Sequence, residues 1–351
     1  MREFPYVKVD APTPFERGIQ YGEQAKVYIL KARNYYKAYF EARGDSWETV
    51  CRFAADYADL IRGKFPDLVS EAEGIAQGAG LSFADIMVVN CRYEMSKFPK
   101  IPECTTGAVL NDATEKGCTY SFKNWDFSQG VLDHVIILHV VAEDGTRILG
   151  LTEAGQMIRD GFNNHGLSIG TNNLQSVHDS AGFGMPVTFL RRKILMCREF
   201  GDAEKLIEES ARTVSNNILL TDGKNSAARD YEWHPEGVNK LEPEQGILTH
   251  ANHFVETPEI DAIKGRPKNR DIRLRELLKA RYGHITPEYI MECMKDHEYY
   301  PLSICSHPSP DGDGYTKERI TVSSMVVDFE NECAYICAGP PCSGEYKKYH
   351  L

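Results

Sequence analysis

The chain has 351 residues of ordinary globular composition, with 51 acidic against 40 basic side chains. That acidic balance argues against nucleic acid, whose phosphates demand basic patches, and no window approaches the ~20 apolar residues of a membrane span. One large domain or two are both open at this length, and either buries a sizeable core.

The start, Met1-Arg2-Glu3-Phe4-Pro5, has no apolar run behind a basic residue, so no export signal is expected. The ten cysteines then read as reduced thiols of a cytoplasmic protein. Thr13-Pro14-Phe15-Glu16 is a helix start with Thr at the N-cap, Pro at N1 and Glu reaching back; one helix is expected from there to Arg43-Gly44. Further helices are expected from Trp47 to Gly63, from Pro66 to Ala79-Gly80, and after Ser82-Phe83-Ala84-Asp85, so residues 1–100 read as nearly all α.

The texture changes at Cys104. Cys104–Leu110 and Cys118–Phe122 flank a turn cluster at 111–117 and form a hairpin; 135–141 and 146–151 form a second. Helices return after Pro186 and near Ala203, strands at Ile218–Leu220 and Ala227–Trp233. A basic helix lies near Asn269–Tyr282 and another starts at Thr286-Pro287, before closing strands at Ile320–Phe329 and Glu332–Cys337. Strands bracketed by helices give an α+β layered fold. Cys333, Cys337 and Cys342 cluster without Cys-x-x-Cys spacing or a following His pair, so they are expected as small hydrophobes rather than zinc ligands. No metal and no cofactor is expected.

The layout around Pro102-Glu103-Cys104-Thr105-Thr106-Gly107 suggests a chain made to be cut once. Cys104 would then carry a thiol and a free α-amine on one residue, nucleophile and general base together. The reference pKa of an α-amine, about 7.7–8.0, suits a proton acceptor at neutral pH.

With Lys123-Asn124-Trp125-Asp126-Phe127, this stretch resembles the penicillin acyltransferase family, a peptidase-like group of N-terminal nucleophile enzymes. Thr152-Glu153-Ala154-Gly155, Gly161-Phe162-Asn163, Gly166-Leu167-Ser168-Ile169, Thr249-His250-Ala251-Asn252-His253 and Tyr300-Pro301-Leu302-Ser303-Ile304-Cys305 look like further family blocks, in family order. The resemblance implies an αββα four-layer sandwich and a precursor cut between Glu103 and Cys104. Residues 1–103 would be a helical pro-segment that stays associated with a catalytic 104–351. It implies acyl transfer from a small amide or thioester to water or an amine; composition, as above, speaks for no nucleic acid and no membrane partner.

It also assigns roles. Cys104 is the nucleophile. Asp126 orients the α-ammonium group or accepts a substrate hydrogen bond. Asn252 supplies an amide donor to the oxyanion. Arg319, one position off the family pattern, pairs with the Asp. Lys123 stands where related bile-salt hydrolases carry an Arg; either it lowers the Cys104 thiol pKa or it is a strand lysine facing solvent. Thr105, Thr106 and the pair Asn172-Asn173 are expected at the substrate, the pair in a loop. Glu103 replaces the glycine of the penicillin enzyme, where glycine eases the strained backbone of an N→S shift. Hydrolysis of a small linear amide is favoured, since no phosphate-binding glycine loop is evident. Two other readings remain: an uncut Cys-His amidase using His250 or His253, and a non-catalytic scaffold that retains the fold.

Overall fold

The computed structural model describes residues 2–95, 103–180, 182–264, 268–312 and 314–351, without the side chains of Glu103 and Tyr315. Five helices open the chain: α1 (Pro14–Gln24), α2 (Lys26–Glu41), α3 (Trp47–Lys64), α4 (Pro66–Ala79) and α5 (Phe83–Met95). The caps are those read from the sequence. The Thr13 side chain accepts from the Glu16 amide while Glu16 reaches back to Thr13, Gly80 closes α4 at φ 70, and Ser82 and Asp85 exchange bonds before α5.

The single helix expected over 13–43 is two. It breaks at Ala25 because its halves serve different neighbours. Along α1, Gly18 and Gly22 lie directly on Gly74 and Gly78 of α4; a Cβ on Gly18 would sit 2.1 Å from the Glu71 carbonyl oxygen. Only glycine allows that approach, and α2 turns away to pack elsewhere.

Ahead of the helices, β1 (Tyr6–Val9) pairs in parallel with β4 (Val135–Val141), the one strand before residue 96 among the described residues. The other strands are β2 (Glu103–Val109), β3 (Tyr120–Ser128), β5 (Arg147–Glu153), β6 (Asp160–Asn163), β7 (Leu167–Asn173), β8 (Asn216–Asp222), β9 (Ala227–His234), β10 (Gly237–Leu241), β11 (Ile247–His250), β12 (Arg319–Asp328), β13 (Cys333–Ala338) and β14 (Tyr346–His350). Helices α6 (Val187–Met196) and α7 (Phe200–Glu209) follow β7, and α8 (Arg270–Lys279) and α9 (Pro287–Cys293) follow β11.

Two sheets result, ordered β1-β4-β5-β6-β7-β8-β9-β10 and β11-β2-β3-β12-β13-β14. Side-chain alternation divides the core into layers. On β4, Ile136, Leu138 and Val140 pack beneath α1–α7, while Val135 and Ile137 face Trp125, Phe127, Val322 and Ile336 of the second sheet. Tyr120, Phe122 and Val326 point the other way, against Leu274 and Leu278 of α8 and Ile290 of α9. The layers are helix, sheet, sheet, helix: the αββα sandwich that the resemblance implied. Among the described residues no helix is long and apolar enough to cross a membrane.

Candidate active site

β2 places successive residues on opposite faces of its sheet. Cys104 and Thr106 face the other sheet, and Thr106 lies so close to β7 that a Cβ on Gly170 would come 3.1 Å from its methyl. Thr105 faces the helical layer and accepts a hydrogen bond from Arg270 Nε at 3.2 Å. The β2–β3 register sets Cys104 opposite Trp125 and Glu103 opposite Asp126, so the bond joining 103 and 104 lies in a ladder beside Asp126. The motif 123–127 is therefore mid-strand.

Cys104 is buried, yet its surroundings are not uniformly apolar. Its main-chain nitrogen donates to Asn252 Oδ1 at 2.6 Å. The same oxygen accepts from Arg270 Nη2 at 2.8 Å, and that guanidinium also lies 3.5 Å from the Cys104 carbonyl oxygen. Two donors on Oδ1 fix the orientation of the Asn252 amide, whose nitrogen carries two hydrogens. One goes to the Asn173 carbonyl at 2.9 Å.

On the inter-sheet side Lys123 is buried, which excludes a solvent-facing lysine. Its ammonium lies 2.7 Å from both oxygens of Asp160 and also bonds the Thr171 carbonyl. Arg159 stacks 4.0 Å over the Trp125 ring and lies 3.5 Å from Asp160. Burial pulls Lys123 below the ordinary lysine range, opposed by the Asp160 carboxylate and then by negative charge on Cys104. Burial would raise Asp160, but Lys123 and Arg159 hold it below the usual carboxylate range. An anion on Cys104 thus stands in the field of two buried cations.

Asp126 is buried and accepts from Thr321 Oγ1 at 2.7 Å, across from it on β12. Arg319 is also buried, at the start of β12 opposite Ser128; it donates to Ser306 Oγ at 2.9 Å and to the Pro301 carbonyl at 3.1 Å. Asn124 binds the carbonyls of Met294 and Ile304, both at 2.9 Å, and so ties down the loop after α9. Asn172 and Asn173 end a strand rather than forming a loop; Asn172 donates to Thr106 Oγ1 at 2.8 Å and to Asn217 Oδ1 at 2.9 Å.

Neither histidine of 249–253 is disposed as a general base. His250 Nε2 lies 3.1 Å from Glu232 and Nδ1 2.8 Å from the Ala251 carbonyl. Burial disfavours its charge, but Asp230 and Glu232 overcome that and lift it to about 9. Burial drives His253 down to about 4. Sequence reasoning missed Arg270, Arg159 and Asp160. Arg270 opens the basic helix, the one signal available; the other two join the site only through strand packing. A cavity of about 390 Å³, lined by Asn111, Cys118, Asn163, Lys224 and Phe329, includes none of these site residues.

A model of the acyl-coenzyme A:6-aminopenicillanic acid acyl-transferase family matches residues 113–342, a stretch that begins downstream of Cys104. The chain belongs to that family. The "Acyl-coenzyme A:6-aminopenicillanic-acid-acyltransferase 40 kDa form" of Emericella nidulans is 25% identical over 300 residues, 84% of this chain and 82% of that relative. Among solved structures, the Caenorhabditis elegans N-acylethanolamine-hydrolyzing acid amidase ortholog is 17% identical, with TM-score 0.46 over 64% of this chain and 93% of its own. A variant of the Clostridium perfringens conjugated bile acid hydrolase is 14% identical, with TM-score 0.49 over 71% of this chain and 97% of its own. Penicillin V acylase of Agrobacterium tumefaciens is 13% identical, with TM-score 0.47 over 67% of this chain and 83% of its own.

Proposed function

We propose that this chain is an acyl-transfer enzyme that cuts itself between Glu103 and Cys104 and then cleaves a small linear amide through a thioester on Cys104. The observation that carries this reading is the 2.6 Å contact between the Cys104 nitrogen and Asn252 Oδ1, shared with Arg270. A nitrogen gripped that way has a partner ready for it as a free amine.

In maturation the Cys104 thiol attacks the Glu103 carbonyl, the C–N bond breaks, and water hydrolyses the resulting thioester to a Glu103 carboxylate and a free Cys104 amine. In turnover that amine takes the thiol proton. Asn252 Oδ1, accepting one N–H, turns the amine lone pair toward the sulfur. The thiolate attacks the substrate acyl carbon, and the second hydrogen of Asn252 Nδ2 meets the developing oxyanion. The amine of the substrate leaves with the proton, and water or another amine releases the acyl group. Lys123 and Arg159 are the buried cations nearest in charge interaction to Cys104 on its inter-sheet side. Asp126, beside the scissile bond, orients the new α-amine; Arg319 holds the adjacent loop; Thr105, Thr106 and Asn172 shape the walls. His250, with both ring nitrogens engaged, leaves the amine as the base.

The two pieces, 1–103 and 104–351, stay together because β1 pairs with β4 and α1–α5 share one core with α6, α7 and the first sheet. The name of the fungal relative specifies an acyl thioester donor, and the same Cys104 thioester would serve that route. Intact mass tests the proposal: freshly purified protein should be two polypeptides, the larger beginning at Cys104, and should turn over one of a panel of linear amides. Cys104→Ala should remain one inactive chain of 39.6 kDa. A cut chain from that variant refutes self-processing, and an uncut but active wild type refutes the need for a free amine.

A further inference from the structure

Away from Cys104, four side chains from separate parts of the sequence converge. His297 follows α9, Cys305 and His307 lie on the loop leading toward β12, and Cys342 sits in the turn joining β13 to β14. Their Nε2, Sγ, Nε2 and Sγ atoms all lie within 4.8 Å of one another. His307 Nε2 is 3.0 Å from His297 Nε2, 3.5 Å from Cys305 Sγ and 3.4 Å from Cys342 Sγ. Hydrogen bonding does not account for that arrangement, because one imidazole nitrogen offers a single proton or a single lone pair and faces three partners. A cation at their common centre does. Zn–S bonds of about 2.3 Å and Zn–N bonds of about 2.0–2.1 Å put neighbouring tetrahedral ligand atoms roughly 3.3–3.8 Å apart.

We propose that His297, Cys305, His307 and Cys342 bind one zinc ion as a closed Cys2His2 site. Two imidazoles give lone pairs, two thiols release their protons to solvent, and the two thiolates neutralise Zn²⁺. All four positions are filled by protein, so the ion has a structural task. It clips the loop after α9 to the β13–β14 turn. That loop carries the Met294 and Ile304 carbonyls that bind Asn124, and Ser306, whose amide hydrogen-bonds Thr321, the residue that donates to Asp126. The zinc therefore fixes the outer wall of the candidate active site, and its presence does not depend on what reaction that site performs. Sequence spacing hid the site. Cys333 and Cys337, expected alongside Cys342, are buried in β13, and the partners of Cys342 come from 297–307.

Full-length protein loaded with zinc chloride under reducing conditions and desalted should hold about one zinc per chain by elemental analysis. Cobalt(II) in its place should give visible ligand-field bands of a tetrahedral ion and thiolate-to-cobalt charge transfer. Cys342→Ser and His297→Ala, both at exposed positions, should lose most of the zinc, while Cys333→Ala keeps it. Chelation should lower Tm by several degrees, reversed by adding zinc. The proposal is overturned by a wild-type chain that stays metal-free after loading, by a cobalt spectrum of six-coordinate type, or by a Cys305–Cys342 disulfide in protein purified without reductant that zinc cannot replace after reduction. The cobalt spectrum decides the matter even should a variant fail to fold.

Discussion

Two buried carboxylates, Glu153 at the end of β5 and Asp160 at the start of β6, are held by the same physics and put to different uses. Glu153 takes Arg92 Nη2 at 2.5 Å, Tyr36 Oη at 2.5 Å and His134 Nε2 at 3.2 Å. Burial would raise it, but Arg92 and then His134 hold it at about 2. Asp160 is held down in the same way by Lys123 and Arg159. The difference is where the partners come from. Tyr36 and Arg92 precede residue 104 and Glu153 follows it, so under the proposed cleavage that cluster would be a joint between the two pieces; Arg192 and Glu71, 2.9 Å and 3.0 Å apart through two bonds, would make a second joint. Among the described residues the partners of Asp160 all follow residue 104, and its two cations feel charge on Cys104. One cluster ties the opening helices to the first sheet, and the other sets the field at Cys104. A buried ion pair alone does not reveal which task it has; the side of the proposed cut from which its members come does.

The largest expected effect comes from breaking the joint. Glu153→Ala leaves Arg92 buried without its carboxylate and should cost about 3–5 kcal/mol in urea unfolding. In matured protein it should let the 1–103 piece dissociate at lower denaturant than wild type. Folded enzyme that remains should keep its kcat, since no member of this cluster touches Cys104 in our reading. A cost below about 1 kcal/mol, or pieces that separate no more easily, would show that apolar packing carries the joint alone.

On the chemical side of the comparison, Asn252→Ala should act in the opposite sense. It removes the acceptor of the Cys104 nitrogen and the proposed oxyanion donor together. Loss of one such donor alone costs about 2.7–4 kcal/mol of barrier, or 10²–10³ in kcat. Pre-cut Asn252→Ala protein should show that loss in single-turnover acylation, and uncut precursor should accumulate during expression. Unfolding should shift less than in Glu153→Ala. An Asn252→Ala enzyme with near-normal kcat would assign the oxyanion to other donors and leave Asn252 a structural residue.

How much of this was legible beforehand follows from how local each signal is. The caps of α1, α4 and α5 are written in three or four adjacent residues, and the sequence shows them. The pairing of the Cys104 stretch with the 123–127 block was legible as a hairpin, because both runs are strand-like and a turn cluster separates them. β1, β10, β11 and β14 were not foreseen: each is four or five residues long, too short for a periodic pattern, and exists because a neighbouring strand offers an edge. Nothing in the sequence separates Arg270 from Arg273 and Arg275 on the same basic helix. Only docking of α8 against β11 and β2 turns Arg270 inward to Asn252, while Arg273 pairs with Asp296. The same holds for Asp160, whose neighbours are chosen by the register of β6 and β7, and for the His297–Cys342 set, which needs loops that the sequence keeps apart.

A third buried cluster gives the smallest effect and the sharpest check on sign. His250, on β11, meets Asp230 and Glu232 of β9, and those carboxylates lift it to about 9 from its ordinary 6.5 against the opposing cost of burial. The native state therefore binds this proton more tightly than the unfolded chain does. The stability it contributes is complete below about pH 6.5 and is lost as pH rises through about 9, up to roughly 3 kcal/mol in all. Asp230 in the same cluster and Glu94 elsewhere act in lower windows: burial raises them to about 6 and about 7, so their contributions are lost as pH rises through those values. Tm of the wild type should fall between pH 6.5 and 9, and His250→Gln, which keeps a donor for Glu232 but cannot titrate, should flatten that fall. Equal slopes in the two proteins would mean that His250 is neutral in the fold. Its hydrogen bonds to Glu232 and the Ala251 carbonyl would then hold a neutral ring, and the fall of Tm with pH would have to come from other groups.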